Sequence, residues 1–136
     1  MAVLNIDEPG ENGFYGLHEL QISGGYKGAA GDKVIDVLGI KIEPLSKGNL
    51  RFWLVNNRPP NDETGRPLDA RIVGVNATIE TFDLAKGSSK LEHVQTFHSD
   101  AILTPNSIVP TGDGGFLFTN DHHDVVTPTF VGSIIS

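Results

Sequence analysis

Short apolar runs alternate with polar turn residues along most of the chain, and no window sustains an apolar repeat of helical period. The pattern predicts strands at 3–6, 17–22, 34–43, 50–56, 71–84 and 91–97, with a bend or bulge at Gly74 in the longest. Between them lie turn segments such as Ser46-Lys47-Gly48-Asn49 and Lys86-Gly87-Ser88-Ser89, and a polar, proline-rich loop over 57–68. A further hairpin closes the series. Ile108 and Val109 form one arm, Gly112-Asp113-Gly114-Gly115 the turn, and Phe116-Leu117-Phe118 the other arm. The arms of a tight hairpin run antiparallel. Asn106 should therefore lie at the same sheet edge as Asn120, Asp121 and His122. From Val125 to Ser136 the pattern lapses, interrupted by Pro128 and Gly132.

Strands separated by turns every dozen or so residues predict an all-β protein. The strands at 34–43, 50–56, 71–84 and 91–97 read as a four-strand antiparallel meander. Two architectures fit that reading. One is a self-contained sandwich of about eight strands. The other is a piece of a β-propeller, whose blades take about 40–45 residues.

Composition narrows the chemistry. At 136 residues the chain suits one domain. A net charge of −7, with no basic run, argues against nucleic acid or an anionic membrane as partner. The absence of cysteine removes disulfides, thiolate metal sites and a cysteine nucleophile. No apolar stretch is long enough for a transmembrane helix, and the first residues lack a basic-then-apolar leader pattern. There is no G-x-S-x-G element, so a serine hydrolase lacks support. Asp7, Glu8 and Glu11 lack calcium-loop spacing and read as a solvated acidic loop, as do Asp62 and Glu63. Asn76-Ala77-Thr78 fits the glycosylation sequon but reads as an unmodified strand segment. His18, His93 and His98 show no metal-ligand spacing and read as surface or satisfied core histidines.

The blocks Phe52-Trp53-Leu54-Val55-Asn56-Asn57-Arg58-Pro59, Thr78-Ile79-Glu80-Thr81-Phe82-Asp83-Leu84, Leu91-Glu92-His93-Val94-Gln95-Thr96-Phe97, Asn106-Ser107-Ile108-Val109 and Thr119-Asn120-Asp121-His122 follow one another in a recognisable order. In that order and spacing the chain resembles the paraoxonase/arylesterase family of calcium-dependent hydrolases over most of residues 34–123. The resemblance implies a six-bladed propeller around a central calcium tunnel. This chain would then be a partial β-propeller within a single domain: residues 1–25 end one blade, 34–98 form a complete blade, and 106–123 begin the next. It would look like an interior piece of the ring, and its unpaired edges would invite self-association.

The same resemblance nominates site residues. Asn106 matches an asparagine that ligates the catalytic calcium. Ser107 stands where the family has an aspartate serving a structural calcium, and Ile40 would offer that ion a backbone carbonyl. Asp121 and His122 match a tunnel-lining Asp-His pair and are the candidate catalytic support residues. Leu38 and Asn57 occupy the positions of the two histidines of the proposed base dyad, and neither can do a histidine's work. The implied activity is calcium-dependent hydrolysis of aryl esters or lactones, with a small ester or lactone as partner and calcium as cofactor, weak or absent in the isolated chain. The rival is a non-catalytic β-sheet interaction module that has lost the catalytic histidines.

Overall fold

The computed structural model describes residues 1–4, 7, 10, 15–28 and 31–121. The architecture is all-β. Among the described residues nine strands run in the order β1 (Ala2–Val3), β2 (His18–Glu19), β3 (Gln21–Ser23), β4 (Val37–Pro44), β5 (Leu50–Arg58), β6 (Asn76–Leu84), β7 (Lys90–Phe97), β8 (Pro105–Pro110) and β9 (Phe116–Asn120). The helical elements among the described residues are a 3₁₀ turn at Ser46–Gly48 and the four-residue helix α1 (Ala70–Val73), in keeping with the absent helical period.

The meander expected over 34–98 is present. Strands β4, β5, β6 and β7 pair antiparallel, each with the next, inside a five-stranded sheet ordered β3-β7-β6-β5-β4. The fifth member, β3, adds parallel to β7, Ile22 opposite Leu91. Two further ladders, β1–β2 and β8–β9, have two strands each.

Three local expectations need correction. The run 17–22 is not one strand. It breaks at Leu20, which is buried and whose N–H donates to the Met1 carbonyl at 2.8 Å, so its halves pair with different partners. The stretch 34–36 precedes β4 rather than belonging to it. The strand drawn over 71–84 begins only at Asn76. Ahead of it Asp69 caps α1, its carboxylate accepting from the Arg71 N–H at 3.0 Å, and Gly74 ends the turn at φ +81°. Isoleucine and valine favour strands, but here a local cap decides the conformation.

The large sheet is apolar on both faces. On one, Leu20, Tyr26, Phe52, Leu54, Phe82 and Leu91 form a core. On the other, Trp53, Val55, Ala77, Ile79, Ile102 and Ile108 form a second core, with Phe97, Phe116 and Phe118 packed against it. The β8–β9 hairpin lies over this second face. Phe116 sits between Trp53 and Phe97, its ring centroid 5.5 Å from one and 4.9 Å from the other. The arrangement is a stack of two sheets in which β8, the first strand of its hairpin, crosses β4 and β5.

Candidate functional site

Antiparallel pairing in the β8–β9 hairpin brings its two polar ends together, as its length predicts. The Asn106 amide nitrogen donates to the Asp121 carboxylate at 2.8 Å. The ladder pairs Pro105 with Asn120 and then Ser107 with Thr119, which leaves Asn106 as the extra residue of a β-bulge. Bulges re-aim side chains at sheet rims. This one turns Asn106 toward the end of the hairpin, where it is exposed.

A second bulge faces it. In β4 the register steps from Val37–Asn56 to Gly39–Val55, so Leu38 is the extra residue there. Gly39 then passes so close to Asn106 that a Cβ on it would collide with the Asn106 carbonyl oxygen. From β5, the Asn57 amide nitrogen donates to the Pro105 carbonyl at 2.9 Å. Donation to a carbonyl fixes the amide orientation, and the Asn57 side-chain oxygen is buried with no hydrogen-bond partner among the described residues. Leu38, Asn57, Asn106 and Asp121 are thus gathered at one end of the stack.

Not every nominated residue joins them as a ligand would. Asn120 holds the preceding loop instead. Its side-chain oxygen accepts from the N–H groups of Leu103 and Thr104, each at 3.2 Å, and its amide nitrogen donates to the Ala101 carbonyl at 2.9 Å. Ser107 is exposed opposite Thr119, and Ile40 pairs with Leu54 inside the β4–β5 ladder. His122 lies outside the described residues. The amide oxygen of Asn106 and the carboxylate of Asp121 have the donor chemistry that calcium takes, but they fall short of the six to eight oxygens it requires. Among the described residues no group of three or more His, Cys, Asp or Glu side chains is placed to hold a metal ion.

A different constellation escaped sequence reading. Glu80 is fully buried in β6 and receives three side-chain partners. Thr78 Oγ1 donates to one carboxylate oxygen at 2.6 Å, while Thr96 Oγ1 at 2.5 Å and His93 Nε2 at 3.2 Å reach the other. His93 Nε2 also lies 3.1 Å from the Thr96 hydroxyl, whose proton goes to Glu80, so the network assigns the ring proton to Nε2. The chain of bonds continues inward. Asn56 donates to Thr78 Oγ1 at 3.1 Å and accepts the Asp36 N–H at 2.7 Å. A buried carboxylate is tolerable only when satisfied in this way. Tyr26 covers the network, its ring 5.0 Å from that of His93. Burial pushes the Tyr26 phenol well above its ordinary range, and the negative charges of Glu80 and Asp32 push the same way. His93 is therefore a half-buried histidine with its hydrogen bonds satisfied, between the surface and core roles that its spacing suggests.

The acidic pair at 62–63 is more than a solvated loop. Asp62 accepts from Thr64 N, Thr64 Oγ1 and Arg66 N at 2.8, 2.7 and 3.0 Å. These bonds, the Thr64 hydroxyl first, hold its carboxyl below the usual range. The group organises a turn.

No protein-family model matches this chain, and no curated protein is recognisably similar to it.

Proposed function

We propose that this chain is part of a paraoxonase/arylesterase-like β-propeller and contributes Asn106 and Asp121 to its calcium-bearing end, in the service of aryl ester or lactone hydrolysis. One observation carries the reading. The positions that the resemblance nominates are scattered over residues 38–121, yet Leu38, Asn57, Asn106 and Asp121 meet at one end of two stacked sheets. Their convergence supports the reading, although hairpin pairing alone accounts for the meeting of Asn106 with Asp121. The stacking supports it too, because the first strand of the hairpin lies against the first strands of the meander, as successive blades do around an axis.

The described oxygens make only part of a calcium site, so on this reading the chain would share such a site with oxygens from elsewhere. With leucine at 38 and amide at 57, no imidazole stands where the resemblance places the base. Turnover by the chain alone is expected to be weak or absent.

That same pair of residues favours a second reading, a non-catalytic module that keeps the sheets and has lost the chemistry. Phenyl acetate hydrolysis, with calcium and with chelator, separates the two. Weak calcium-dependent turnover that Asn106→Ala removes supports the hydrolase. Turnover indifferent to both chelator and substitution overturns it, and absence of turnover together with absence of calcium binding supports the module.

A further inference from the structure

Beyond β3 the chain closes a short loop on itself. The Lys33 N–H donates to the Lys27 carbonyl at 2.8 Å, which brings the two lysines together. Gly28 sits at the joint with φ +79°, and a Cβ there would stand 3.0 Å from Lys33 N. Both lysines line a cleft of about 340 Å³ whose other walls are Ile22, Ser23, Gly25 and Tyr26. A space of this size takes a small molecule. Tyr26 is its buried wall, and Ile22, 42% exposed, is an apolar side.

Charge sets this cleft apart. Its lining holds two ammonium groups and no carboxylate. The cleft that Lys90 lines, by contrast, also holds Asp83 and Glu92. Among the described residues neither Lys27 nor Lys33 forms an ion pair. The carboxylate next in sequence, Asp32, is engaged elsewhere. One of its oxygens accepts from Arg58 Nε at 3.1 Å and the other from the Val34 N–H at 3.0 Å. Lys33 itself has φ +63°, a left-handed conformation that a residue with a Cβ adopts at a cost. Strain of that kind collects at ligand sites.

We propose that this cleft binds a small organic dianion, a phosphate monoester with a compact apolar body. The phosphate lies between the Lys27 and Lys33 ammonium groups, and the body lies against Ile22 and Tyr26. Two cations suit a doubly charged head, and lysine serves phosphate as a point charge. The Ser23 hydroxyl, whose bond to the Leu91 carbonyl is long at 3.5 Å, adds a neutral donor. Burial holds the Tyr26 phenol well above its ordinary range, so it stays protonated and adds no charge against the anion. A net charge of −7 repels anions at a distance. Contact within the cleft then has to supply the affinity, on the order of 1 mM. The inference does not rest on the hydrolase reading. Ile22 and Ser23 belong to β3, at the opposite edge of the large sheet from β4, whose bulge adjoins the candidate site.

The test titrates phenyl phosphate, inorganic phosphate and phenol into the whole chain and follows the amide resonances of Ser23, Gly25 and Lys27. Phenyl phosphate should shift them saturably. Inorganic phosphate should bind several-fold more weakly for want of the apolar contact, and phenol should not bind. Lys33→Gly suits the left-handed backbone, so it removes the ammonium group and keeps the fold, which circular dichroism checks. Lys33→Gly and Lys27→Ala should each weaken phenyl phosphate binding at least several-fold, and Lys86→Ala should leave it unchanged. Affinity unmoved by Lys33→Gly and Lys27→Ala, or equal shifts at exposed lysines elsewhere, would show an unselective attraction to lysine and overturn the proposal. Phenol binding as tightly as phenyl phosphate overturns it too, since the cleft would then be apolar only. So does the absence of a saturable shift at tens of millimolar phenyl phosphate.

Discussion

Gly39 and Asn106 meet backbone to backbone where β8 crosses β4, and the contact leaves no room for a side chain on Gly39. Two bulged strands approach here at the end of the stack that carries the candidate site. The Val55 side chain closes the other side, 3.3 Å from where a Cβ would stand. Glycine is required at this position by the approach of another strand, since Gly39 is not among the glycines of positive φ.

Replacing Gly39 by alanine should therefore destabilise the fold, although such a change usually stabilises a chain by restricting its unfolded state. Overpacking of this kind costs about 1–3 kcal/mol. Urea unfolding followed by the fluorescence of Trp53, the sole tryptophan, would register it as a lower midpoint at unchanged slope. An unchanged midpoint would mean that the two strands are not in close contact.

Glu80 is the other place where one substitution should matter. Glu80→Ala removes the acceptor shared by Thr78, Thr96 and His93 inside a sheet that admits no water to that side chain. Leaving the buried Thr78 hydroxyl without its acceptor, together with the cavity, should cost about 2–5 kcal/mol. Glu80→Gln keeps an acceptor of the same shape and should cost markedly less. Equal losses in the two variants, measured by urea unfolding, would show that the carboxylate network is not what the side chain contributes.

How this network arises explains why sequence pattern exposed one site and hid another. The meeting of Asn106 with Asp121 was legible because a hairpin turn fixes which residues face each other across it. Glu80 was half legible. Alternation through Thr78, Glu80 and Phe82 puts a carboxylate on a face that otherwise packs Phe82, a conflict that invites a search for partners. Its partners on β7 were not legible. His93 and Thr96 are three apart, and strict alternation sends them to opposite faces. The ladder steps from Thr81–Gln95 to Phe82–His93, so Val94 is an extra residue, and the resulting bulge returns His93 to the face of Thr96. One bulge is invisible to a period of two and reverses the assignment. The parallel addition of β3 was hidden for another reason. It accompanies the burial of Leu20 in the core of Phe52, Leu54 and Leu91, a tertiary contact that no local pattern announces. The cap on α1 was present in the sequence as Asp69 but outweighed in reading by the β-branched residues after it.

Asp69 gives a pH test of that local structure. Its side-chain bond with Arg71, reinforced by the Arg71 backbone N–H, lowers its carboxyl from 3.8 to about 2. A group depressed on folding contributes stability that is fully present above its unfolded value and is lost as pH falls through its folded one. The contribution of the cap should thus be complete above about pH 4 and disappear by about pH 2. Nuclear magnetic resonance titration of the Asp69 carboxyl should give a midpoint near 2, and Arg71→Ala should return it toward 3.8. A wild-type midpoint near 3.8 would show that the cap does not form.

The most discriminating measurement concerns calcium. A hard cation gains from each preorganised oxygen and loses with each carboxylate replaced by a neutral group. Asn106 and Asp121 are held together at 2.8 Å, so any ion that binds here should meet both. The amide nitrogen of Asn106 is engaged by the carboxylate, which leaves the amide oxygen as the atom for a cation. Ser107 lies next along β8 but offers only a hydroxyl. On these donors calcium should bind in the millimolar range, about 4 kcal/mol. Calorimetry should show this weak binding reduced by Asn106→Ala and by Asp121→Ala. Ser107→Asp should strengthen it if the serine stands in a ligand position. Micromolar affinity in the unmodified chain would overturn the account, because it requires a complete set of oxygens that the described residues do not provide. Binding indifferent to Asn106 and Asp121 would place the ion elsewhere and remove the strongest support for the hydrolase reading.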